Sequence, residues 1–395
     1  MLAEVSLLWA LLGCAGRAPT QTDSVSVVRA EPDRGQAWAV LEDGAGSLEV
    51  PSRRRALDLL IALSEPADSV TWGARGLWDP SPHVQRTVTA ALQARLPEPD
   101  SLAALQAFVQ RDGVDSYTRC AAASGLARSG DTATIPAVRS ALDDAFEPWR
   151  AAPCALALAE MADGEAATAA RAQLSEILAS GELPLELGFV DDLGRSALPG
   201  LGGELVAVLD ILEPELQLAV ATAVLRLGED DGEEWFRRAL SDDDIELQLE
   251  AIDFLLTLPP QAASDLLRRA GGPVKMTAQL ALIELGEGGP EDAVTSLLAL
   301  DREVRAEATR AIGGWLSMHR EDGPRRMVRF CQDALIEALQ DPEDMVRLQA
   351  LRALARVGRA EDAEVIAPLL QADALLIRIE AAGALLALTP ATTSG

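Results

Sequence analysis

The segment Met345–Leu354 reads MVRLQALRAL and shows the pattern that decides the fold. Val346 is an apolar anchor, Arg347 is the polar residue after it, and Ala350 and Leu354 follow four and eight positions after the anchor. These spacings place the three nonpolar residues on one helix face, and a small residue in the middle lets a neighbouring helix approach closely. The segment therefore predicts a helix that packs between similar helices.

The same pattern occurs eleven times. The anchors are Ser52, Val84, Thr118, Trp149, Leu185, Leu216, Leu247, Val274, Val304, Val346 and Ile377. Each interval is long enough for two helices, and the chain shows no sustained strand alternation. The sequence therefore predicts an all-α fold, an α-solenoid (superhelix) of about eleven helical hairpins in one elongated domain.

Glycines mark where several of these helices should end. Gly130, Gly228, Gly286 and Gly358 each lie twelve residues after an anchor. A helix C-terminus favours a residue that tolerates positive φ, so we expect a left-handed glycine at each of these positions.

Charge limits the partners that the chain could bind. The formal net charge is −28, and Lys275 is the single lysine. Proteins that bind DNA or RNA present a basic surface, so we expect no nucleic acid partner. Acidic residues are densest between Glu213 and Asp253, where they form either a solvated surface with carboxylates at helix N-termini or a docking surface for a basic protein. The candidate partner contacts in this stretch are Asp230, Asp231, Glu233, Glu234, Asp242, Asp243 and Asp244.

The interval between Val304 and Val346 is the longest of the ten, and its extra residues fall around 317–326. Insertions in repeat arrays map to loops, often on a binding face. The sequence leaves open a plain extended loop and a loop that contacts a partner. The candidate contacts here are His319, Arg320, Arg325 and Arg326.

The amino terminus has an apolar stretch, Val5 to Gly13, followed directly by Cys14. About nine apolar residues are too few to span a bilayer. The stretch resembles a bacterial lipoprotein signal, which implies cleavage before Cys14, a lipid on that cysteine and, with Ala15 next, an outer-membrane location. Because no basic residue precedes Arg17, an ordinary helix of a cytoplasmic protein stays open. We expect a signal at 1–13, a linker at 14–32, the solenoid at 33–388 and a disordered tail at 389–395.

The other cysteines are Cys120, Cys154 and Cys331, an odd number that implies no disulfide framework. We expect small buried thiols at these positions. A bridge between Cys120 and Cys154, which lie in neighbouring repeats, stays open for an oxidising compartment.

Further motifs accompany the repeat. The residue after the anchor is most often arginine, as in Arg53, Arg305 and Arg347; an acidic turn such as Asp79-Pro80 or Asp341-Pro342 leads into the helix. Over about 33–388 the chain resembles the HEAT repeat, in the short form of phycobilisome-lyase-like proteins. The resemblance implies a structural ladder of turn aspartates and arginines, and a binding scaffold. Repeat five departs from it, with Leu183-Pro184 and Glu186, and predicts a kink.

Catalytic chemistry has little support in the residues. His83 and His319 are the two histidines, too few for a metal site built on several histidines, and no phosphate-binding loop or nucleophile elbow occurs. We expect no catalytic, metal or cofactor site. The expected function is a non-enzymatic scaffold, anchored by lipid in the bacterial envelope, that binds another protein on its concave surface, with a basic protein as the candidate partner. Alternatives are a cytoplasmic adaptor or enzyme accessory protein, and a bilin-lyase-like enzyme, which rests on the resemblance alone.

Overall fold

The computed structural model describes residues 30–111, 114, 116–143, 148–180, 187–212 and 214–389. The predicted signal, Cys14, nearly all of the linker, residues 390–395 and the kink positions 183, 184 and 186 lie outside the described residues. Within them the chain forms 22 α-helices and no strand, which confirms the all-α prediction.

The helices pair into eleven hairpins, each with a leading helix followed by an anchored helix, as predicted. The leading helices are α1 (Arg34–Gly44), α3 (Pro66–Leu77), α5 (Pro99–Val109), α7 (Ile135–Asp143), α9 (Gly164–Ala179), α11 (Leu201–Val208), α13 (Gly232–Ala239), α15 (Pro260–Leu267), α17 (Glu291–Ser296), α19 (Arg325–Ala338) and α21 (Ala363–Ile366). The anchored helices are α2 (Val50–Leu63), α4 (Pro82–Gln93), α6 (Ser116–Arg128), α8 (Pro148–Met161), α10 (Leu187–Arg195), α12 (Pro214–Arg226), α14 (Ile245–Leu255), α16 (Lys275–Glu284), α18 (Arg302–His319), α20 (Asp344–Val357) and α22 (Leu375–Leu388).

The anchored helices pack through the face that the repeat pattern marks. Every residue four positions after an anchor is buried, and at eight positions only Leu282 stays half-buried. Gly130, Gly228 and Gly286 end their helices with φ of 83°, 86° and 83°, as expected. The expectation for Gly358 is wrong, because its φ is −68° and the chain leaves α20 in an extended conformation.

The last hairpin packs on the first, so the solenoid closes into a ring instead of forming the elongated domain that we expected. Helix α22 lies against both α1 and α2. Arg34 Nη1 donates to the Leu386 carbonyl at 3.4 Å and to Thr389 Oγ1 at 3.2 Å, and the Ala30 amide donates to the Glu364 carbonyl at 3.0 Å. Closure leaves neither end of the repeat array exposed, where an open solenoid needs special capping repeats.

Two glycines allow the close approach at this seam. A Cβ atom added to Gly44 would lie 2.8 Å from Ile379 Cδ1, and one added to Gly383 would lie 2.8 Å from Leu59 Cδ1. Both distances are shorter than van der Waals contact, so a side chain at either position would force the end of the Ile379 or Leu59 side chain to move; one at Gly44 would also lie 3.0 Å from Ala56 Cβ.

The buried core forms two hydrophobic clusters. One runs through the seam and includes residues from Ala37 to Ala170 and from Leu280 to Leu388. The other includes Tyr117 and residues from Ala151 to Ala281. Helices α8 and α16 contribute to both clusters, so the two cores meet at these helices.

Candidate interaction surface

Some ion pairs join two anchored helices that have a third anchored helix between them. These pairs identify the concave side of the ring, because inward curvature brings such helices together. Arg128 on α6 reaches Asp192 on α10 across α8, with Nη2 and Oδ1 3.0 Å apart. Arg310 on α18 reaches Asp253 on α14 across α16, with Nη1 and Oδ1 3.2 Å apart. The ring is therefore lined by its anchored helices. The two pairs define a first corner (α6, α8 and α10) and a second corner (α14, α16 and α18), and each corner contains a helix, α8 or α16, that contributes to both clusters.

A third charged cluster lies on the concave surface at the seam. Glu380 on α22 is 3% exposed and accepts hydrogen bonds from Arg55 Nε and Nη2, each at 2.8 Å, and from Arg352 Nε at 2.8 Å. Arg55 also pairs with Asp58 at 2.6 Å. Helices α2, α20 and α22 are thus joined by one carboxylate that holds two guanidinium groups.

The first corner buries two carboxylates around one arginine. Glu160 on α8 accepts a hydrogen bond from Ser124 Oγ at 3.0 Å, and Arg128 Nη1 donates to the same hydroxyl at 2.9 Å. Burial raises the pKa of Glu160 and the pKa of Asp192 above their ordinary values, although the Arg128 charge opposes the shift.

The second corner gathers three carboxylates around Arg310. Its Nε lies 3.0 Å from Glu284 Oε2, its Nη1 faces Asp253, and its Nη2 bonds Glu307. Burial is the largest cause that raises the pKa of Glu284 and of Glu307, again against the Arg310 charge. The charge of Arg356 also acts on Glu284, so three carboxylates face two guanidinium groups here and this part of the concave surface is acidic.

These corner carboxylates should make the protein more stable in mild acid. A raised folded-state pKa means that the folded chain binds protons more readily than the unfolded chain, so the free energy of unfolding should rise as pH falls from 7 towards the ordinary glutamate value of 4.5. We expect urea unfolding to show this rise, and Glu160→Gln with Asp192→Asn to flatten it. Asp243→Asn, a surface change, is the control, and a rise that the double variant keeps in full would contradict the assignment.

The arginines after the anchors have a structural role, as the resemblance implied. Arg53 donates to both carboxylate oxygens of Asp79 at 2.6 and 2.9 Å, and Arg305 does the same with Asp341 at 2.7 and 3.0 Å. Burial alone would raise the pKa of Asp79 and of Asp341, but the arginine and a backbone amide lower both below their ordinary value. The predicted ladder is confirmed between the first and second repeats and between the ninth and tenth.

The acidic stretch predicted as a docking surface lies on a leading helix and a turn, away from the concave surface. Glu233 and Glu234 on α13 pair with Arg237 and Arg238 of the same helix. Asp244 caps α14 by accepting the Glu246 amide at 2.9 Å. Asp230, Asp231, Asp242 and Asp243 are exposed. These contacts favour the helix-terminus interpretation for Asp244 and leave the docking interpretation a prediction for the others.

The insertion is mostly helical, because α18 continues to His319 and α19 begins at Arg325. The expected extended loop is therefore only the turn 320–324. The His319 ring stacks on Trp315, with centroids 4.6 Å apart, and the Trp315 indole donates to the Gly288 carbonyl at 3.2 Å. Arg320, Arg325 and Arg326 are exposed beside this turn. The structure does not bring this group together with the acidic stretch.

The charged clusters of the concave surface were not predicted from the sequence. The signal was present: Arg55, Glu307 and Glu380 lie three positions after their anchors, and Asp58, Asp253, Arg310 and Arg352 lie six positions after theirs. Residues three and six positions after an anchor share one helix face, which lies next to the buried face formed by the residues four and eight positions after it. Cys120 on α6 and Cys154 on α8, whose Cα atoms are 4.7 Å apart, form the bond that the sequence left open for an oxidising compartment. The expectation of free thiols is wrong for this pair and holds for buried Cys331, whose pKa burial raises to about 12.

In the part of the chain that the structure describes, no group of three or more histidine, cysteine, aspartate or glutamate side chains is arranged to hold a metal ion. None of the described helices combines the length and the apolar character needed to cross a membrane.

The repeat geometry agrees with a family match. Residues 68–159, from α3 to α8, match the family described as HEAT repeats. This stretch is similar to HEAT repeats. It includes the Asp79 turn and both cysteines of the disulfide.

Several solved structures are similar to this chain at low sequence identity. An engineered protein is 20% identical, with 89% of this chain and 98% of that chain covered and a TM-score of 0.26. Human deoxyhypusine hydroxylase in complex with glycerol is 18% identical, with 82% and 96% covered and a TM-score of 0.32. A homology model of the AP-3 complex is 12% identical, with 85% and 57% covered and a TM-score of 0.33. Scores this low support no functional argument. No curated protein matches the sequence.

Proposed function

We propose that the chain is a non-enzymatic HEAT-repeat scaffold that binds another protein on its concave surface. The observation that carries the proposal is a cavity of about 480 Å³ between α4, α6 and α10 and a second of about 430 Å³ that crosses the seam from α20 to α4. Arg54, Arg55, Asp58 and Arg352 line the second cavity. Both cavities open on the surface where charged side chains from several repeats converge, which is how HEAT-type arrays present extended binding surfaces.

The second corner favours a partner with a basic segment. The net charge of the chain is −28, and Arg310 at this corner faces three carboxylates. The two cavities are lined by more arginines than carboxylates, so we propose contact with the basic segment at the second corner alone. Complementary charge raises the rate of association and makes it sensitive to salt.

A photo-crosslinking residue at Arg54, which is exposed on the concave surface, tests this proposal in the native host. The matched control is the same residue at Arg139, exposed on leading helix α7. We expect one discrete crosslinked protein from position 54, with a crosslinking yield that falls in high salt. We expect no crosslinked protein from position 139. Equal crosslinking at both positions, or none at either, would remove the concave-surface proposal.

We also propose that a lipid on Cys14 holds this scaffold in the bacterial envelope. Support comes from the disulfide between Cys120 and Cys154, because disulfides persist in oxidising compartments such as the periplasm and are rare in the cytosol. The alternative, a cytoplasmic adaptor or enzyme accessory protein, has to maintain this bond in a reducing environment.

Intact mass and membrane partition of the full chain, compared with Cys14→Ser, test the anchor. We expect a chain that begins at Cys14 with a diacylglyceryl mass increment, and neither the increment nor the membrane partition in the variant. A soluble, unprocessed chain in both cases would favour the cytoplasmic alternative.

A further inference from the structure

A basic cavity lies at the turn between α18 and α19, outside the concave surface. It has a volume of about 360 Å³, and its lining includes Arg320, Arg325, Arg329 and Arg359. One carboxylate, Glu321, also lines it, so the side chains around the cavity carry a net charge of about +3 at neutral pH. Such a concentration of positive charge is unusual on a chain whose net charge is −28.

Three arginines of this cavity have side chains without a protein partner. The side chains of Arg320, Arg325 and Arg329 make no ion pair, hydrogen bond or ring contact with any residue that the structure describes. Arg359 bonds Glu361 through Nη1 at 2.7 Å. By contrast, Arg53, Arg55, Arg128, Arg305 and Arg310 are each held by one or more carboxylates. Unpaired guanidinium groups that converge on one cavity keep their hydrogen-bond donors available for a ligand.

An amide also lines the cavity. Gln332 on α19 is 3% exposed as a residue, and its side chain forms no hydrogen bond with the described residues. Neither of its amide atoms is among the fully buried, unpaired polar atoms of those residues. The amide therefore adds a hydrogen-bond donor and an acceptor to the cavity lining.

We propose that this cavity binds a phosphate monoester group. A monoester dianion has two negative charges and three terminal oxygens, whereas a carboxylate has one charge and two oxygens, so it matches three unpaired guanidinium forks and an amide donor better. The first turn of α19, a helix of 14 residues, also begins at Arg325 and adds its positive end. The cavity exceeds the size of a phosphate ion and leaves room for the group that the phosphate is attached to. This site is independent of the proposed protein-binding function.

The same head-group chemistry can come from a soluble phosphate ester or from a phospholipid. Binding of glycerol 3-phosphate to the full chain by titration calorimetry tests the first source. Flotation with phosphatidylcholine vesicles that contain phosphatidic acid tests the second, with pure phosphatidylcholine vesicles as the blank. Either result supports the site and identifies its source. Acetate should not compete, and binding of the soluble ester should weaken at pH 5.5, below the second phosphate pKa of about 6.

Variants separate this site from general attraction to arginine. Arg325→Gln with Arg329→Gln should weaken binding at least about tenfold, since two charge-assisted contacts are lost. Arg269→Gln, an exposed arginine outside the cavity, is the matched control and should bind as the wild type does. Gln332→Leu should weaken binding while the thermal unfolding midpoint stays close to that of the wild type, because it removes a hydrogen-bonding group from the cavity lining. No binding to either probe, or equal losses in the Arg269 and double variants, would overturn the proposal.

Discussion

Glu380→Ala is expected to open the ring at its seam and to lower the free energy of unfolding by about 2–3 kcal/mol. Glu380 accepts three hydrogen bonds from Arg55 and Arg352, and its removal leaves both guanidinium groups without this carboxylate. Breaking a fully buried pair costs about 3–5 kcal/mol, but Arg55 and Arg352 are 29% and 41% exposed, so water offsets part of the loss. Urea unfolding measures the change.

Hydrogen exchange locates the effect. Amides of α1 and α22, which meet at the seam, should lose protection in Glu380→Ala, whereas those of α12 on the far side of the ring should keep theirs. Glu380→Gln should have a smaller effect because it keeps the shape and an acceptor.

Glu343→Ala is the matched control for this change. Glu343 pairs with Arg302 at 3.8 Å, and the two side chains are 43% and 61% exposed, so its loss should cost less than about 0.5 kcal/mol. Equal destabilisation by the two alanine variants, with no change of exchange at the seam, would show that Glu380 does not hold the seam.

The hairpins could be predicted from sequence because each one is encoded locally. The small or apolar residue at the fourth position, such as Ala56 or Ala350, and the leucine at the eighth determine one helix face, and both contacts lie within one or two repeats. The ladder from Arg53 to Asp79 was predictable for the same reason, because its residues are 26 positions apart in adjacent repeats.

Closure could not be predicted in this way, because it depends on the sum of the rotations at every junction. Eleven repeats close only if they turn by roughly 33° each on average, and small deviations accumulate along a solenoid. Arg55 and Glu380 are 325 positions apart, and neither residue alone indicates that the other lies beside it. The glycines at Gly44 and Gly383 become informative only once their helices are known to touch.

The cavity at Arg320 and the corner clusters show a second limit. Arg320 and Arg325 were predicted as candidate contacts, but Arg329, Gln332 and Arg359 were not. Arg359 comes from a different hairpin. A site formed by the end of one repeat and the start of a later one has no local pattern, so only the packing of α18, α19 and the last hairpin reveals it.

Loss of the bond between Cys120 and Cys154 is expected to cost about 3–4 kcal/mol of unfolding free energy. The two residues are 34 positions apart in sequence, and both are fully buried. In the chain-entropy account, cross-linking a loop of this length restricts the unfolded chain by that amount. Cys120→Ala with Cys154→Ala should therefore shift the urea midpoint strongly, and dithiothreitol should destabilise the wild type but not the double variant.

Cys331→Ala provides the control for lost packing, because Cys331 is a buried free thiol on α19 and its removal deletes a sulfur atom without breaking a bond. The cost of the double variant should exceed twice the cost of this single one. Thiol titration of the denatured, unreduced chain gives a direct count: with four cysteines in the sequence, a bridge leaves two free thiols, or one if Cys14 carries a lipid. Four titratable thiols, or three if Cys14 carries a lipid, would show that the bridge is absent, and the argument for an oxidising compartment would fall with it.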